Sequence, residues 1–239
     1  CFYIFSSYSS FALIGRIFIP KDENVLKKIN MVENVGIDPY DIDVLVWNIY
    51  KGIEKNWRDE FFELSRGKEL LIFQESIMHT RVSDELKRNP TTSYVFATSW
   101  YNLKYLNSET GVMTGATSKS ISNKWQRSYF LEPLLNTPKM TLFTEYKLKG
   151  RSETLLVGNI HGINFVRAYK LRKMLNQAAA ILKKHKGPAI FAGDFNTWTE
   201  TKIKNMNTIL MELGFKAVKF SKDIRKSFRG NPLDHAWVK

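Results

Sequence analysis

The chain has 239 residues, 44% of them hydrophobic and 13% aromatic, which is enough for one sizeable domain with a buried core. Its single cysteine excludes a disulfide framework and indicates a reducing, cytoplasmic compartment. The net charge of +13 lies in the second half: residues 121–239 hold 22 Lys and Arg against 8 Asp and Glu, whereas residues 1–120 hold 14 against 15. This asymmetry favours a polyanionic partner, nucleic acid ahead of anionic lipid, and the alternative is a generic solvated basic face.

Residues 1–41 are predicted to form an N-terminal arm and a linker. Residues 1–20 are apolar and aromatic, but four serines and Arg16 interrupt them, so they fit a membrane-spanning helix poorly. We expect the arm to pack on the domain. The alternatives are a membrane-associated segment or an exported protein lipidated at Cys1. Residues 21–41 are polar and contain Gly36 and Pro39, as is typical of a linker.

From residue 42 onward, apolar runs alternate with amphipathic segments, which predicts an α/β domain over residues 42–239. The predicted helices cover residues 54–66, 78–88, 166–185 and 200–213. Predicted strands cover residues 69–74, 93–98, 111–117, 140–148 and 153–160, the last two joined by a hairpin. Trp100, Tyr101 and Tyr105 lie in a predicted loop, where packing is the first interpretation and stacking on bases the second.

Polar side chains stand at the ends of several apolar runs. Four runs end in a polar side chain: residues 44–48 in an amide, 70–75 in a carboxylate, 155–161 in an imidazole and 189–196 in a carboxylate–amide pair. A fifth run, residues 232–238, begins near a carboxylate. Since side chains alternate along a strand, Asp194 and Asn196 point to the same side. Active sites of sheet proteins collect at strand ends, so we expect these polar groups to converge.

In chain order these segments read WNIYK, FQE, NIHGINF, GDFNTW and PLDHAW. The series resembles the endonuclease/exonuclease/phosphatase superfamily, whose fold is called DNase I-like, and within it the bacterial YafD-like group. Each motif alone is weak, but five in the family's order are specific, and the resemblance runs from about residue 43 to residue 239. It implies a four-layer sandwich in which helices flank two face-packed mixed β-sheets.

The resemblance implies a metal and substrate site. Glu75 matches the family's metal-binding Glu, and Asn48 matches the Asn beside the metal and the phosphate. Asn164 matches an Asn that lines the same pocket. By its position, Arg167 lies just beyond the His161 pocket; solvation is its first interpretation and contact with phosphate the second. The expected metal is Mg²⁺, with Mn²⁺ as a substitute, because one carboxylate with several waters suits a hard cation. Neither a CxxC nor an HExxH motif is present, so zinc is not expected.

Four residues are implied to be catalytic. His161 matches a His that contacts the scissile phosphate, Asp194 the carboxylate that orients or deprotonates water, and Asn196 an Asn that stabilises transition-state charge. Asp234 matches an Asp that orients a catalytic His. That His belongs to a terminal Ser-Asp-His motif, which we expect, with the last strand, beyond Lys239; the sheet would then have an unpaired edge and this chain weak activity or none.

His235 is interpreted as a strand residue rather than as the missing catalytic His, because Leu233 precedes its Asp and an apolar run follows. The resemblance implies a magnesium-dependent phosphodiester hydrolase acting on nucleic acid. The alternatives are a phosphoesterase acting on phospholipid or inositol phosphate, and a catalytically silent module that binds polyanions. No protein partner is inferred, and a monomer is expected.

Overall fold

Two six-stranded sheets dominate the computed structural model, which describes residues 17–102, 108–223 and 225–239. The expectations for residues 1–16 of the arm, Cys1 among them, and for Tyr105 fall outside the described residues. Within the described ranges, no helix combines the length and the apolar character needed to span a membrane.

The first sheet is mixed. Its strands are β1 (Ile17–Phe18), β2 (Leu26–Ile29), β3 (Val44–Asn48), β4 (Leu70–Met78), β5 (Ser93–Asn102) and β6 (Ser108–Ala116). They are ordered β1-β5-β6-β4-β3, and β2 also pairs with β5. Only β3 and β4 run parallel among these pairs, and helix α1 (Trp57–Ser65) connects them.

The second sheet repeats this plan. Its strands are β7 (Ser122–Arg127), β8 (Met140–Lys147), β9 (Thr154–His161), β10 (Ala189–Asp194), β11 (Lys216–Ala217) and β14 (Asp234–Val238). They are ordered β11-β14-β10-β9-β8-β7, and a separate ribbon pairs β12 (Ser227–Phe228) with β13 (Asn231–Pro232). Strands β9 and β10 are parallel and are connected by helix α3 (Ala168–Leu182).

Helices cover both outer faces of the stacked sheets. Helix α1 and helix α2 (Thr80–Lys87) pack on the first sheet, and α3 and α4 (Glu200–Glu212) pack on the second. Alternation along β4 shows the layering: Leu71 and Phe73 face the helices, whereas Leu70 and Ile72 face the other sheet. The predicted four-layer sandwich of two mixed sheets flanked by helices is therefore confirmed.

Two local predictions were wrong. The segment expected to be a linker, residues 21–41, contributes strand β2 to the first sheet, and Ile37 forms a bridge with Leu148. The short β2 carries Lys27 and Lys28, which suits a strand beside a sheet edge. Strand β11 pairs with the last residues of β14, and among the described strands β11 forms that edge of the second sheet. Trp100 is buried, as expected from packing, although it lies in strand β5 rather than in a loop.

Gly193 in β10 is required by the close approach of two strands. Its φ is +142°, and a Cβ there would lie 2.1 Å from the carbonyl oxygen of Ile160. Gly150 offers a matched comparison, since its φ of +70° also favours glycine but a Cβ added there would meet nothing within 4 Å.

We expect Gly193→Ala to lower the free energy of unfolding by about 3 kcal/mol or more, because the clash is with backbone that cannot move away. Gly150→Ala should cost only about 1 kcal/mol, the cost of the left-handed backbone alone. Urea denaturation followed by circular dichroism measures both. Equal losses of unfolding free energy in the two variants would show that the close approach of the strands at Gly193 adds no cost to the substitution.

Candidate active site

The ends of both parallel strand pairs meet at one cavity of about 400 Å³. Six of the residues predicted for the site line it: Asn48, Glu75, His161, Asn164, Asp194 and Asn196. They come from the two different sheets, so stacking of the sheets brings together groups that are up to 148 positions apart in the chain. The expected convergence of the strand ends is what the structure shows.

A β-bulge directs Glu75 into the cavity. The register between β4 and β6 shifts between Phe73 and Ser76, and Glu75 has a φ of +46°. By simple alternation Glu75 would follow Leu71 and Phe73 toward the outer helices. The bulge turns it instead toward the site, and this left-handed backbone costs about 1–3 kcal/mol.

Asn48 connects the two carboxylates of the site. Its Nδ2 donates to Glu75 Oε1 at 3.3 Å and to Asp194 Oδ2 at 3.2 Å. Its Oδ1 accepts a hydrogen bond from the backbone N–H of Tyr50 at 3.1 Å, which fixes the orientation of the amide. Asn48 therefore links a carboxylate of the first sheet to one of the second.

Asp194 and His161 form a buried acid–imidazole pair. Asp194 Oδ1 accepts from the backbone N–H of Asn196 at 2.9 Å, and its Oδ2 lies 3.8 Å from His161 Nε2. Burial, with the charge of Glu75, raises the pKa of Asp194 to about 6 against the opposing hydrogen bonds. Burial, together with Lys139, lowers the pKa of His161 well below its usual value, so a neutral imidazole faces the carboxylate.

Asn196 is held in an unusual backbone conformation by a buried lysine. Its φ is +52°, and its Nδ2 donates to the carbonyl of Gly162 at 2.9 Å. Lys202 on α4 donates from Nζ to the Asn196 carbonyl at 3.1 Å and lies 4.3 Å from the ring centroid of Trp198. Burial lowers the pKa of Lys202 to about 8, although Asp194 favours its charged form. Lys202 was not predicted as a site residue. Its position shortly after the GDFNTW motif was the one sequence signal that pointed to it.

Lys51 was also missed, although it belongs to the WNIYK motif. Its Nζ donates to Glu75 Oε2 at 2.8 Å, and it lines the cavity. Three successive residues from Tyr50 to Gly52 have positive φ, which turns the chain back toward Glu75. Burial opposes ionisation of Glu75, but the ammonium groups of Lys51 and Lys139 hold its pKa below the usual value.

A buried ion pair supports the opposite wall. Glu132 Oε2 lies 3.3 Å from Lys139 Nζ, and Glu132 Oε1 accepts a hydrogen bond from the backbone N–H of Asn164 at 2.9 Å. The Asn164 side-chain oxygen in turn accepts from Trp198 Nε1 at 3.0 Å. No sequence signal pointed to Glu132 or Lys139, because they lie between motifs and meet the site only in three dimensions.

Three other candidates lie outside the cavity lining. Asp234 is buried in β14 directly opposite Asp194 in the ladder, and burial together with Asp194 raises its pKa well above the usual value. Arg167 is exposed at the N-cap of α3. His235 is a strand residue, as predicted: its Nε2 lies 2.7 Å from Thr197 Oγ1 and its ring packs against Phe195.

Comparison with solved structures defines the class of fold. The human Nocturnin catalytic domain with bound sulfate matches with a TM-score of 0.61 at 15% identity, covering 89% of this chain and 85% of that one. An endonuclease/exonuclease/phosphatase family protein from Bacteroides thetaiotaomicron gives 0.60 at 12% identity, covering 83% and 82%. The mannosyl-6-phosphatase Bt3783 from the same species gives 0.57 at 14% identity, covering 83% and 85%. The fold is that of the endonuclease/exonuclease/phosphatase, or DNase I-like, class.

Sequence comparison identifies the family within this class. A UPF0294 protein of Vibrio campbellii is 37% identical over 201 residues, covering 83% of this chain and 69% of the relative. A UPF0294 protein of Erwinia tasmaniensis is 33% identical over 194 residues, covering 81% and 70%. The chain belongs to the UPF0294 family. No family model matches it.

The Glu132–Lys139 pair is expected to matter for stability. Glu132→Gln would leave the Lys139 ammonium buried without its nearest carboxylate, which we expect to cost about 3 kcal/mol of unfolding free energy. The double variant Glu132→Gln, Lys139→Met removes both charges and should recover part of that loss. Thermal and urea denaturation of the single and double variants measure the difference, and a double variant less stable than the single one contradicts this account.

Proposed function

We propose that this protein is a metal-dependent hydrolase of phosphate esters. The observation that carries the proposal is the linkage of Glu75 and Asp194 through Asn48, with His161 and Asn196 on the same cavity. Glu75 comes from the first sheet and Asp194 from the second, so the two carboxylates provide separate places for a cation and for a reacting water. The fold class supports the same chemistry, since its members are typically metal-dependent phosphoesterases.

The donor set fits a hard divalent cation. Glu75 supplies carboxylate oxygens, and Mg²⁺ commonly uses one or two carboxylates completed by water and substrate phosphate. Asn48 points its Nδ2 at Glu75, so it would offer Oδ1 to a cation only after its amide turns away from the Tyr50 N–H. Among the described residues, no group of three or more His, Cys, Asp or Glu is placed to hold a metal, which argues against a closed, all-protein cage. The cation would be held by Glu75 and Asn48, and it would polarise a phosphate oxygen. Mg²⁺ is the proposed ion, with Mn²⁺ as a substitute.

The remaining groups have separate tasks in this proposal. Asp194, ionised above its pKa of about 6, accepts the proton of the attacking water. The neutral His161 donates a hydrogen bond to a phosphate oxygen, and Asn196 stabilises the charge that develops there. Asn164, held by Trp198 and Glu132, positions the substrate. Asp234 acts on Asp194, its neighbour on the adjacent strand, rather than on the substrate. Arg167 contacts the substrate only if the ligand extends beyond the cavity.

Nucleic acid is the first proposed substrate. Support comes from the charge of residues 121–239, which contribute the whole basic excess of the chain. We further propose that the protein belongs to the YafD-like group, is a monomer and acts in the cytoplasm. A phospholipid or an inositol phosphate is the second candidate, and the exposed apolar side chains of Leu134 and Phe165 at the cavity mouth support the phospholipid. A catalytically silent module that binds polyanions is the third.

We expect Asp194→Asn to reduce hydrolysis of bis(p-nitrophenyl) phosphate at least about 100-fold, because the variant lacks the general base. The protein should stay folded, since an amide keeps the size of the side chain. Rates are compared with Mg²⁺ and with EDTA, and His235→Gln serves as the control outside the cavity. Turnover retained in Asp194→Asn would eliminate this assignment, and inactivity of the unaltered chain with intact DNA binding would favour the silent module.

We expect Lys51→Met to bind Mn²⁺ or Mg²⁺ about fivefold more tightly or better, because Lys51 and the cation compete for the same Glu75 carboxylate. Isothermal titration calorimetry measures this affinity without any turnover. Lys55→Met makes the same change of charge at an exposed position nearby and should bind the ion as the unaltered chain does. Weaker metal binding in Lys51→Met would show that Lys51 supports the metal site rather than competing for it.

A further inference from the structure

The connection between β7 and β8 carries an apolar surface at the cavity mouth. Residues 129–135 read Tyr-Phe-Leu-Glu-Pro-Leu-Leu, and we call them the apolar loop. Tyr129, Leu131 and Leu134 are 73%, 39% and 69% exposed, while Glu132, the loop's one charged residue, is buried. This is the reverse of an ordinary surface loop, in which charged groups face water.

The outward direction of these side chains is built into the loop. Glu132 is fixed from below by Lys139, by the backbone of Asn164 and by Thr137. Phe130 packs inward, with its ring centroid 5.8 Å from that of Tyr169. Because Glu132 and Phe130 are anchored on the inner side of the loop, Leu131 and Leu134 are left exposed to solvent.

Phe165 extends the same surface from the loop after β9. It lines the cavity together with Leu134, and it is 62% exposed. Its φ of +53° is unfavourable for a large side chain, and its backbone N–H is held by Asn164 Oδ1 at 2.8 Å. The chain therefore uses a strained conformation to present a large apolar side chain to solvent, which packing alone does not explain.

Cations stand around this surface rather than within it. The apolar loop contains no Lys or Arg. Arg167 is exposed two residues after Phe165, Lys170 lies 4.9 Å from the Phe130 ring, and Arg229 is exposed on the β12–β13 ribbon next to Phe228 of the cavity lining. An apolar centre with a basic border matches the cross-section of a membrane interface, where acyl chains lie beneath anionic headgroups.

We propose that the apolar loop and Phe165, beside the cavity mouth, dock this protein on an anionic phospholipid bilayer. A nucleic acid fits the surface less well, because Leu131 and Leu134 have neither the charge to contact phosphate nor a π-face to stack on bases. The bilayer receives the aliphatic side chains, and Arg167 and Arg229 meet its phosphates. Docking is independent of hydrolysis, so it stands or falls separately from the proposed reaction.

The test measures binding of the full 239-residue chain to vesicles, by co-sedimentation in EDTA. Vesicles of phosphatidylglycerol with phosphatidylcholine are compared with vesicles of phosphatidylcholine alone. We expect binding to the anionic vesicles that Leu134→Glu and Phe165→Glu each weaken at least about tenfold. Leu134→Gln, which adds no charge, should also weaken it, whereas Asp194→Asn should bind like the unaltered chain.

Phe62→Glu is the matched control. Phe62 is 64% exposed, nearly as Phe165 is, but it lies on α1 at the outer face of the first sheet. It should bind vesicles unchanged, and all variants should keep the melting temperature of the unaltered chain. Loss of binding in Phe62→Glu equal to that in Leu134→Glu would overturn the proposal, as would no vesicle binding by the unaltered chain.

Two further results would assign the surface to another occupant and overturn the proposal. If the Leu134 and Phe165 variants lose affinity for single-stranded DNA but keep vesicle binding, the surface serves nucleic acid. If they instead lower the melting temperature or change the oligomeric state while vesicle binding persists, the apolar loop packs against protein, either this chain or a second copy.

Discussion

A buried pair of amides sets the distance between the two halves of the site. Gln74 Nε2 donates to Asn159 Oδ1 at 2.8 Å, and Asn159 Nδ2 donates to the carbonyls of Phe73 and Met113. Both amides are fully buried between the sheets, where a shift of register would leave several polar groups unpaired. Glu75 follows Gln74 directly and His161 lies two residues beyond Asn159, so this bridge also positions the proposed cation ligand against the imidazole.

The β-bulge at Glu75 makes that arrangement possible. In a regular strand Gln74 and Glu75 would face opposite sides, and only one of them would reach the space between the sheets. The bulge lets Gln74 connect the sheets while Glu75 reaches Asn48 and Lys51. The strain at Glu75 is offset by these two contacts, which a straight strand would not provide.

The sequence indicated which residues meet at the cavity and which class of fold carries them, but it missed local parts of the scaffold. Asn48, His161 and Asp194 could be predicted from the sequence, because each ends an apolar run and the ends of parallel strands meet. The four-layer arrangement came from the family resemblance, since periodicity shows which face is apolar but not which element covers it. Glu132 and Lys139 had no local signal, because their importance arises from contacts with Asn164 and with the site across the fold. Strand β2 was missed because its two lysines hide the short apolar pattern.

The charges that line the cavity differ from those of the surrounding surface. Lys51, Lys139 and Lys226 are balanced by Glu75, Glu132 and Asp194, so the described lining carries no net charge once Asp194 is ionised. The basic excess of residues 121–239 must therefore lie mostly outside the cavity, where it raises the local concentration of an anion but does not hold its phosphate at the reacting groups. A divalent cation at Glu75 would make the lining positive, which explains why a site rich in lysine still needs a metal in the proposed reaction.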